Sequence, residues 1–209
     1  MEKIEKKNEA VSFEVIFVGR SNVGKSTLLK SLTGRNVRIG KRPGVTLKPT
    51  HLYFDDFLIT DMPGFGFMSG VTQEKAEDVK NTIVQYIEEN ADRIRLAVQV
   101  IDGQSIVEIT ERWDSRDEIP IDVELHDFLN EMGIITILAA NKMDKIKEEE
   151  KDELFNRISE IFGYETPWKE GGALIAPVSA RSGDIRPLVS HMKNEFHKMK
   201  RDDLFKHFK

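Results

Sequence analysis

The sequence predicts an α/β fold, a mostly parallel twisted sheet with helices on both faces, and three observations carry that prediction. A short apolar run, Phe13 to Val18, leads straight into a glycine-bearing loop and then into the helical spacing of Leu28, Leu29 and Leu32. Two later runs, Leu96 to Ile101 and Ile134 to Ala140, are apolar almost without a break, as strands covered on both faces must be. Strand and helix patterns alternate along the chain, and right-handed crossovers then place the connecting helices on the two faces of one sheet.

In chain order, Arg35 to Pro49 carries Gly40, Pro43, Gly44 and Pro49 without periodicity and reads as irregular. His51 to Phe54 and Phe57 to Thr60 are β-prone runs separated by Asp55 and Asp56, the spacing of a hairpin. Ala76, Val79, Ile83 and Ile87 return to helical spacing, as do Leu125, Phe128, Leu129 and Met132 after Pro120. Leu154, Ile158, Ile161 and Phe162 mark the next helix, Ala173 to Val178 the last strand, and Ile185, Leu188, Val189, Met192 and Phe196 the closing helix. Gly103 to Pro120 is the least regular stretch.

The chain has 209 residues, enough for one full core, with 39% hydrophobic and 32% charged residues. The absence of cysteine excludes disulfides, thiolate metal sites and thiol nucleophiles, which fits a cytoplasmic protein. The first residues, MEKIEKKNEA, lack a signal-peptide core, and no stretch approaches the roughly 20 apolar residues of a bilayer span, so neither export nor membrane insertion is expected. A net charge of -5 argues against general nucleic-acid coating. The five histidines, His51, His126, His191, His197 and His207, show no metal-ligand spacing and are expected to be packed or solvated.

GRSNVGKS, Gly19 to Ser26, fits the phosphate-loop pattern, and its placement between a buried strand and a helix is what the chemistry requires. Gly19 and Gly24 let successive amide N–H groups turn inward, and the helix beginning near Lys25 adds its positive end. Lys25 is suited to reach β- and γ-phosphates and Ser26 to offer a hydroxyl to Mg²⁺. Asn141, Lys142, Met143 and Asp144 end the second long apolar strand. The Asp144 carboxylate can accept the N1–H and N2–H donors of guanine as a pair, whereas adenine offers no such pair.

Val178, Ser179 and Ala180 end the last strand, where a backbone N–H can face guanine O6. Asp61, Met62, Pro63 and Gly64 suit a metal-facing carboxylate followed by a γ-phosphate-sensing amide, although Pro-Gly is equally a turn signal. Thr46 either places a hydroxyl on Mg²⁺ or is an ordinary loop threonine. An ATPase or small-molecule kinase would require NKMD to be accidental, and GFGFMSG fails as a dinucleotide fingerprint because Ser69 stands where its third glycine should be.

In this order GRSNVGKS, PGVT, DMPGFG, NKMD and VSA look like the translation-factor class of GTPases. GRSNVGKST followed by DMPGFGFM resembles most closely the EngB family, also called YihA or YsxC, from about Phe13 to Phe196. The resemblance implies a P-loop GTPase fold of six strands, mostly parallel with one antiparallel edge strand, and switch segments at about Arg35 to Pro49 and Asp61 to Thr72. It implies GTP or GDP held by Gly19, Arg20, Ser21, Asn22, Val23, Gly24, Lys25, Ser26 and Thr27, by Gly44, Val45, Thr46, Leu47 and Lys48, and by Asp61, Met62, Pro63 and Gly64. At the base end it implies Asn141, Lys142, Met143, Asp144, Val178, Ser179 and Ala180.

Mg²⁺ would sit on Ser26 and Thr46, with Asp61 acting through water, and Lys25, Asn22, Thr46 and Gly64 would serve catalysis. The resemblance also implies a monomeric protein working in large ribosomal subunit assembly, a family role often described as cell division and septation. By this division, 1–10 is a charged extension, 11–200 the GTP-binding domain and 201–209 a basic tail.

Phe65 stands where Ras-type enzymes carry a water-orienting glutamine, so intrinsic turnover is expected to be slow. Asn22 either binds K⁺ beside the phosphates or braces the loop. Phe65, Phe67 and Met68 either pack inward or form a GTP-dependent docking face, the latter in a nucleotide-gated interaction protein with negligible hydrolysis. Lys198, Lys200, Arg201 and Lys206, interleaved with Phe205 and Phe208, either touch ribosomal RNA or form a solvated helix end.

Overall fold

The computed structural model describes residues 11–35, 48–55, 57–66, 72–170 and 172–208. Among them, β1 (Phe13–Val18), β2 (Thr50–Phe54), β3 (Phe57–Asp61), β4 (Ile94–Asp102), β5 (Ile135–Asn141) and β6 (Ile175–Pro177) form one sheet in the order β2-β3-β1-β4-β5-β6. All neighbours run parallel except β2 and β3, the expected hairpin, which leaves β2 as an antiparallel edge strand.

The pleat of β1 sends Val15 and Phe17 to one face and Ile16 and Val18 to the other, and every residue of the strand is buried because both faces are covered. On the first face, α1 (Lys25–Thr33) and α6 (Arg186–Lys198) set Leu28, Leu32, Leu188 and Phe196 against Phe17 and Phe57. On the second, α2 (Gln73–Asn90) and α4 (Ile121–Glu131) contribute Ile83, Ile87, Leu125 and Leu129. Helices α3 (Ser105–Asp114) and α5 (Glu148–Ile161) extend the cover over β5 and β6.

Local chemistry sets the helix starts. Thr72 accepts the Lys75 N–H to cap α2, and Pro120, extended, opens α4, whose first turn carries Asp122 and Glu124 toward the positive end of the helix. Glu14 is fully buried on β1 and accepts from Arg93 Nε and Tyr86 OH, both at 2.7 Å, and from Thr60 Oγ1. Burial and the nearby Glu14 charge push the Tyr86 phenol well above its usual range.

Three expectations are corrected. Gly103 to Pro120 is not irregular throughout, since Ser105–Asp114 is helix α3. Its apolar stripe is thin, with only Ile106 and Thr110 buried, so the helical period is weak in the sequence. Residues 201–208 are not a tail outside the domain. Asp202–His207 is a short 3-10 helix that folds back on the first face, with Leu204 and Phe208 buried beside Phe57 and Phe196. The four-residue spacing of Leu204 and Phe208 places both against one surface, and apolar burial outweighs solvation of the neighbouring lysines. The last strand also starts at Ile175 rather than Ala173.

The chain leaves β1 toward β3 on one side of the sheet and β4 on the other, so the carboxyl end of β1 is the point where a doubly wound sheet opens a crevice. No helix among the described residues is long and apolar enough to cross a membrane.

Candidate functional site: a phosphate cradle joined to a base-reading edge

The loop from Gly19 to Ser26 connects β1 to α1 at that crevice. Gly24 adopts a left-handed backbone (φ 104) to cap α1, and a Cβ there would lie 2.3 Å from Asn141 Nδ2. At Gly19 a Cβ would lie 2.2 Å from the Val100 carbonyl oxygen, so neighbouring chain forbids a side chain at either glycine. Asn22 is exposed and also left-handed (φ 65), a conformation asparagine tolerates better than most residues.

Lys25 is buried, and its Nζ donates to the carbonyls of Gly19 at 2.8 Å and Arg20 at 2.9 Å. Burial lowers its pKa to about 8, against the opposing pull of Asp61 and Asp122. An anion in the loop would raise it again.

Asp61 ends β3 opposite this lysine. Ser26 Oγ donates to its Oδ2 at 2.7 Å, while its Oδ1 is buried with no hydrogen-bond partner among the described residues. Burial raises the carboxyl pKa, with Lys25 and Ser26 acting to lower it. A hydroxyl beside a carboxylate with an unsatisfied oxygen is a hard, oxygen-only donor set, which fits Mg²⁺.

Beyond Asp61, Met62 N–H donates to Phe17 O at 2.9 Å, Pro63 is buried, and Gly64 presses on the loop. A Cβ at Gly64 would lie 2.7 Å from Ser21 Cα and 3.1 Å from Lys25 Nζ. Val23 is buried and Thr27 half-buried. Of the second predicted segment, Gly44, Val45, Thr46 and Leu47 lie outside the described residues, and Lys48 is exposed.

At the other end of the crevice Asn141 closes β5 and is buried. Its Nδ2 donates to Val23 O at 2.7 Å, and its Oδ1 accepts the Ala180 N–H at 2.9 Å. This one side chain thus fastens the phosphate loop to the loop after β6, with one amide hydrogen left over. Lys142 is left-handed (φ 68) and pairs with Asp102 at the end of β4. Met143 is buried, and Asp144 stands exposed in a 3-10 turn with no hydrogen bond or ion pair among the described residues.

The N–H groups of Val178, Ser179 and Ala180 donate to Ala140 O, Asp184 O and Asn141 Oδ1. Strand ends satisfy their own donors where a side-chain acceptor such as Asn141 is within reach. Phe65 is 3% exposed and packs with the second-face core, so it supplies no docking face, while Phe67 and Met68 lie outside the described residues.

Sequence reading missed two carboxylates. Asp122, 102 positions away in the chain, accepts from Arg20 Nη1 at 3.0 Å, and Asp102 holds Lys142. No local signal marks either, because each partner is set by topology. His126 is likewise buried, bonded to Gln99 Oε1 through Nδ1 at 2.9 Å and to Tyr164 OH through Nε2 at 2.8 Å, and burial lowers its pKa to about 4.

A family model described as 50S ribosome-binding GTPase matches residues 14–142. A probable GTP-binding protein EngB of Methanosarcina mazei is 59% identical over 197 residues, 94% of each chain. The chain belongs to the EngB family of GTP-binding proteins. A probable EngB of Pyrococcus abyssi is 48% identical over 188 residues, 90% of this chain and 86% of the other. A solved structure described as a probable GTP-binding protein engB superposes with a TM-score of 0.79 at 47% identity, covering 88% of this chain and 99% of that one. The selenocysteine-specific elongation factor EF-Sec, at 21% identity and a TM-score of 0.60 over 90% of this chain, shares the fold. As an EngB GTPase the chain binds guanine nucleotide and hydrolyses GTP.

Proposed function

We propose that this EngB protein is a monomeric Mg-GTP switch acting in assembly of the large ribosomal subunit. The observation that carries the nucleotide part is the Ser26–Asp61 pair with its unsatisfied buried carboxylate oxygen, set opposite a lysine held below its ordinary pKa. Each of these groups gains a partner when a phosphate chain and a divalent cation enter together. Mg²⁺ would be held by Ser26 and, through water, Asp61, with Thr46 completing the set, and would neutralise charge on the β- and γ-phosphate oxygens.

The remaining chemistry belongs to the chain. Lys25 and the amides of residues 19–26 bind and stabilise the spread-out charge of the transferring phosphoryl group. The Gly64 amide senses the γ-phosphate, and Asp144 takes the guanine N1–H and N2–H donors. Phe65 cannot orient water, so turnover is slow unless backbone, K⁺ at Asn22 or a partner does so. Equal rates in potassium and sodium salts would remove the Asn22 cation.

The ribosomal part is supported by the family description, which names the large subunit. Co-sedimentation with purified large subunits, with a non-hydrolysable GTP analogue and with GDP, tests it. Binding in the analogue state alone is expected, and equal or absent binding in both states contradicts the reading.

A further inference from the structure

We infer that Arg20 is a positioning residue for GTP hydrolysis: through its ion pair with Asp122 it holds the Gly64–Gly66 backbone against the phosphate loop. The inference rests on the GTPase reading above and gives the Arg20 side chain, within the phosphate loop, a role beyond holding phosphate.

Three contacts zip the two segments together. Arg20 and Phe65 form an isolated parallel β-bridge, and Ser21 N–H donates to Phe65 O at 2.9 Å. Gly64 lies on Ser21 and Lys25. Gly66 (φ +89) lies against the Arg20 guanidinium, where a Cβ would be 3.1 Å from Nη2 and 3.2 Å from both Cζ and Nε. The guanidinium is therefore the floor on which this backbone rests.

The floor is itself fixed. Arg20 Nη1 donates to Asp122 Oδ2 at 3.0 Å, and the Asp122 side chain is 1% exposed. Gln99, buried on β4, donates through Nε2 to Asp122 O at 2.7 Å and is held in turn by His126. The start of α4 is thus clamped from the sheet side while its carboxylate faces the loop.

Stability alone does not account for the pair. A buried ion pair with incomplete hydrogen bonding is often no more stable than a well-packed apolar replacement, and Asp122 Oδ1 has no partner among the described residues. What the pair does supply is register. With phenylalanine in place of a water-orienting glutamine, the Gly64–Gly66 backbone that Arg20 supports is the part of this chain nearest to hand for placing water and γ-phosphate. Its position to a fraction of an ångström then governs the rate.

The test uses the full chain and fluorescent GDP, with single-turnover GTP hydrolysis as the second reading. In Arg20→Ala, the single-turnover rate at saturating GTP is expected to fall at least about tenfold further than GDP affinity does. Asp122→Ala should reproduce that split, the double variant should fall no further, and Arg20→Lys should recover part of the rate. Gly66→Ala crowds the same guanidinium without removing a charge and should show the same signature, which keeps the test open if the ion-pair variants fold poorly. An unchanged rate in Arg20→Ala with GDP affinity intact, or parallel loss of GDP affinity and rate across all variants, would overturn the proposal. Failure of the unaltered chain to bind GDP would instead sink the nucleotide reading itself.

Discussion

The two ends of the crevice are built in opposite ways. At the phosphate end the polar groups are buried and strained electrostatically: Lys25 is held near pKa 8, Asp61 is raised by burial, and one Asp61 oxygen lacks a partner. At the base end the group suited to choose guanine, Asp144, stands exposed, while its buried neighbour Asn141 is engaged in tying loops together. One end holds its charges out of water before any ligand arrives, and the other leaves its reader solvated. Substitutions at the first should therefore trade function against stability, whereas those at Asp144 should change nucleotide affinity and choice with little effect on stability.

The largest expected effect is at Lys25. Lys25→Met should lower GTP hydrolysis by about 10³-fold, in line with the loss of one preorganised electrostatic contact. The same change removes a buried charge, so chemical denaturation of the nucleotide-free protein should show no loss of stability. A destabilised variant would break the comparison.

Asp144→Ala is next. It should weaken GTP binding by about 10²-fold and collapse the preference over ATP, because a site with its carboxylate in place rejects a base lacking the donor pair. Its unfolding free energy should stay within about 0.5 kcal/mol of the parent, as for an exposed position. Competition between GTP and ATP for a fluorescent nucleotide, beside a urea melt, gives both readings.

The third effect is on stability against pH. Lys25 has a folded pKa below its unfolded value, so the unfolded chain binds the extra proton between about pH 8 and 10.5. Stability of the nucleotide-free protein should therefore rise across the lower part of that window, and saturating GDP should flatten the rise. His126 repeats the sign at acid pH without a link to the ligand. Its folded pKa of about 4 means that stability is full above about pH 6.5 and falls as pH drops toward 4, with or without nucleotide. Acid and alkaline melts with and without GDP separate the two groups.

The smallest effect concerns the carboxyl terminus. Phe208→Ala, far from either end of the crevice, should cost about 3 kcal/mol or somewhat less, given its partly open site, and leave nucleotide affinity unchanged. A melt unaffected by this change would return residues 201–208 to the status of a tail.

What could be read from the sequence follows the same division between local and distant causes. The phosphate loop, DMPG and NKMD were legible because each requires particular residue types at fixed spacing at the end of an apolar strand, a pattern that nearby backbone dictates. The mostly parallel sheet followed from βα alternation with one hairpin and the number of strands from the family resemblance, whereas the strand order is set by topology and was not read from the sequence. Helix α3 was not legible, since a helix burying only Ile106 and Thr110 leaves little period to find. The Arg20–Asp122 and Lys142–Asp102 pairs were invisible because topology, not spacing, brings their partners together. Asn141 illustrates the limit within a motif: its position was predicted, but its role as a clamp between Val23 and Ala180 depends on three loops meeting.

The most direct test of the central claim, that the phosphate end stores charge in a form the nucleotide relieves, is the heat of GDP binding at pH 8.5 in buffers of different ionisation enthalpy. Lys25 should take up a substantial fraction of one proton as its pKa rises against the phosphates, giving a heat that depends on the buffer. Tight binding with no buffer dependence would show that Lys25 is already fully charged in the free protein, contrary to this account.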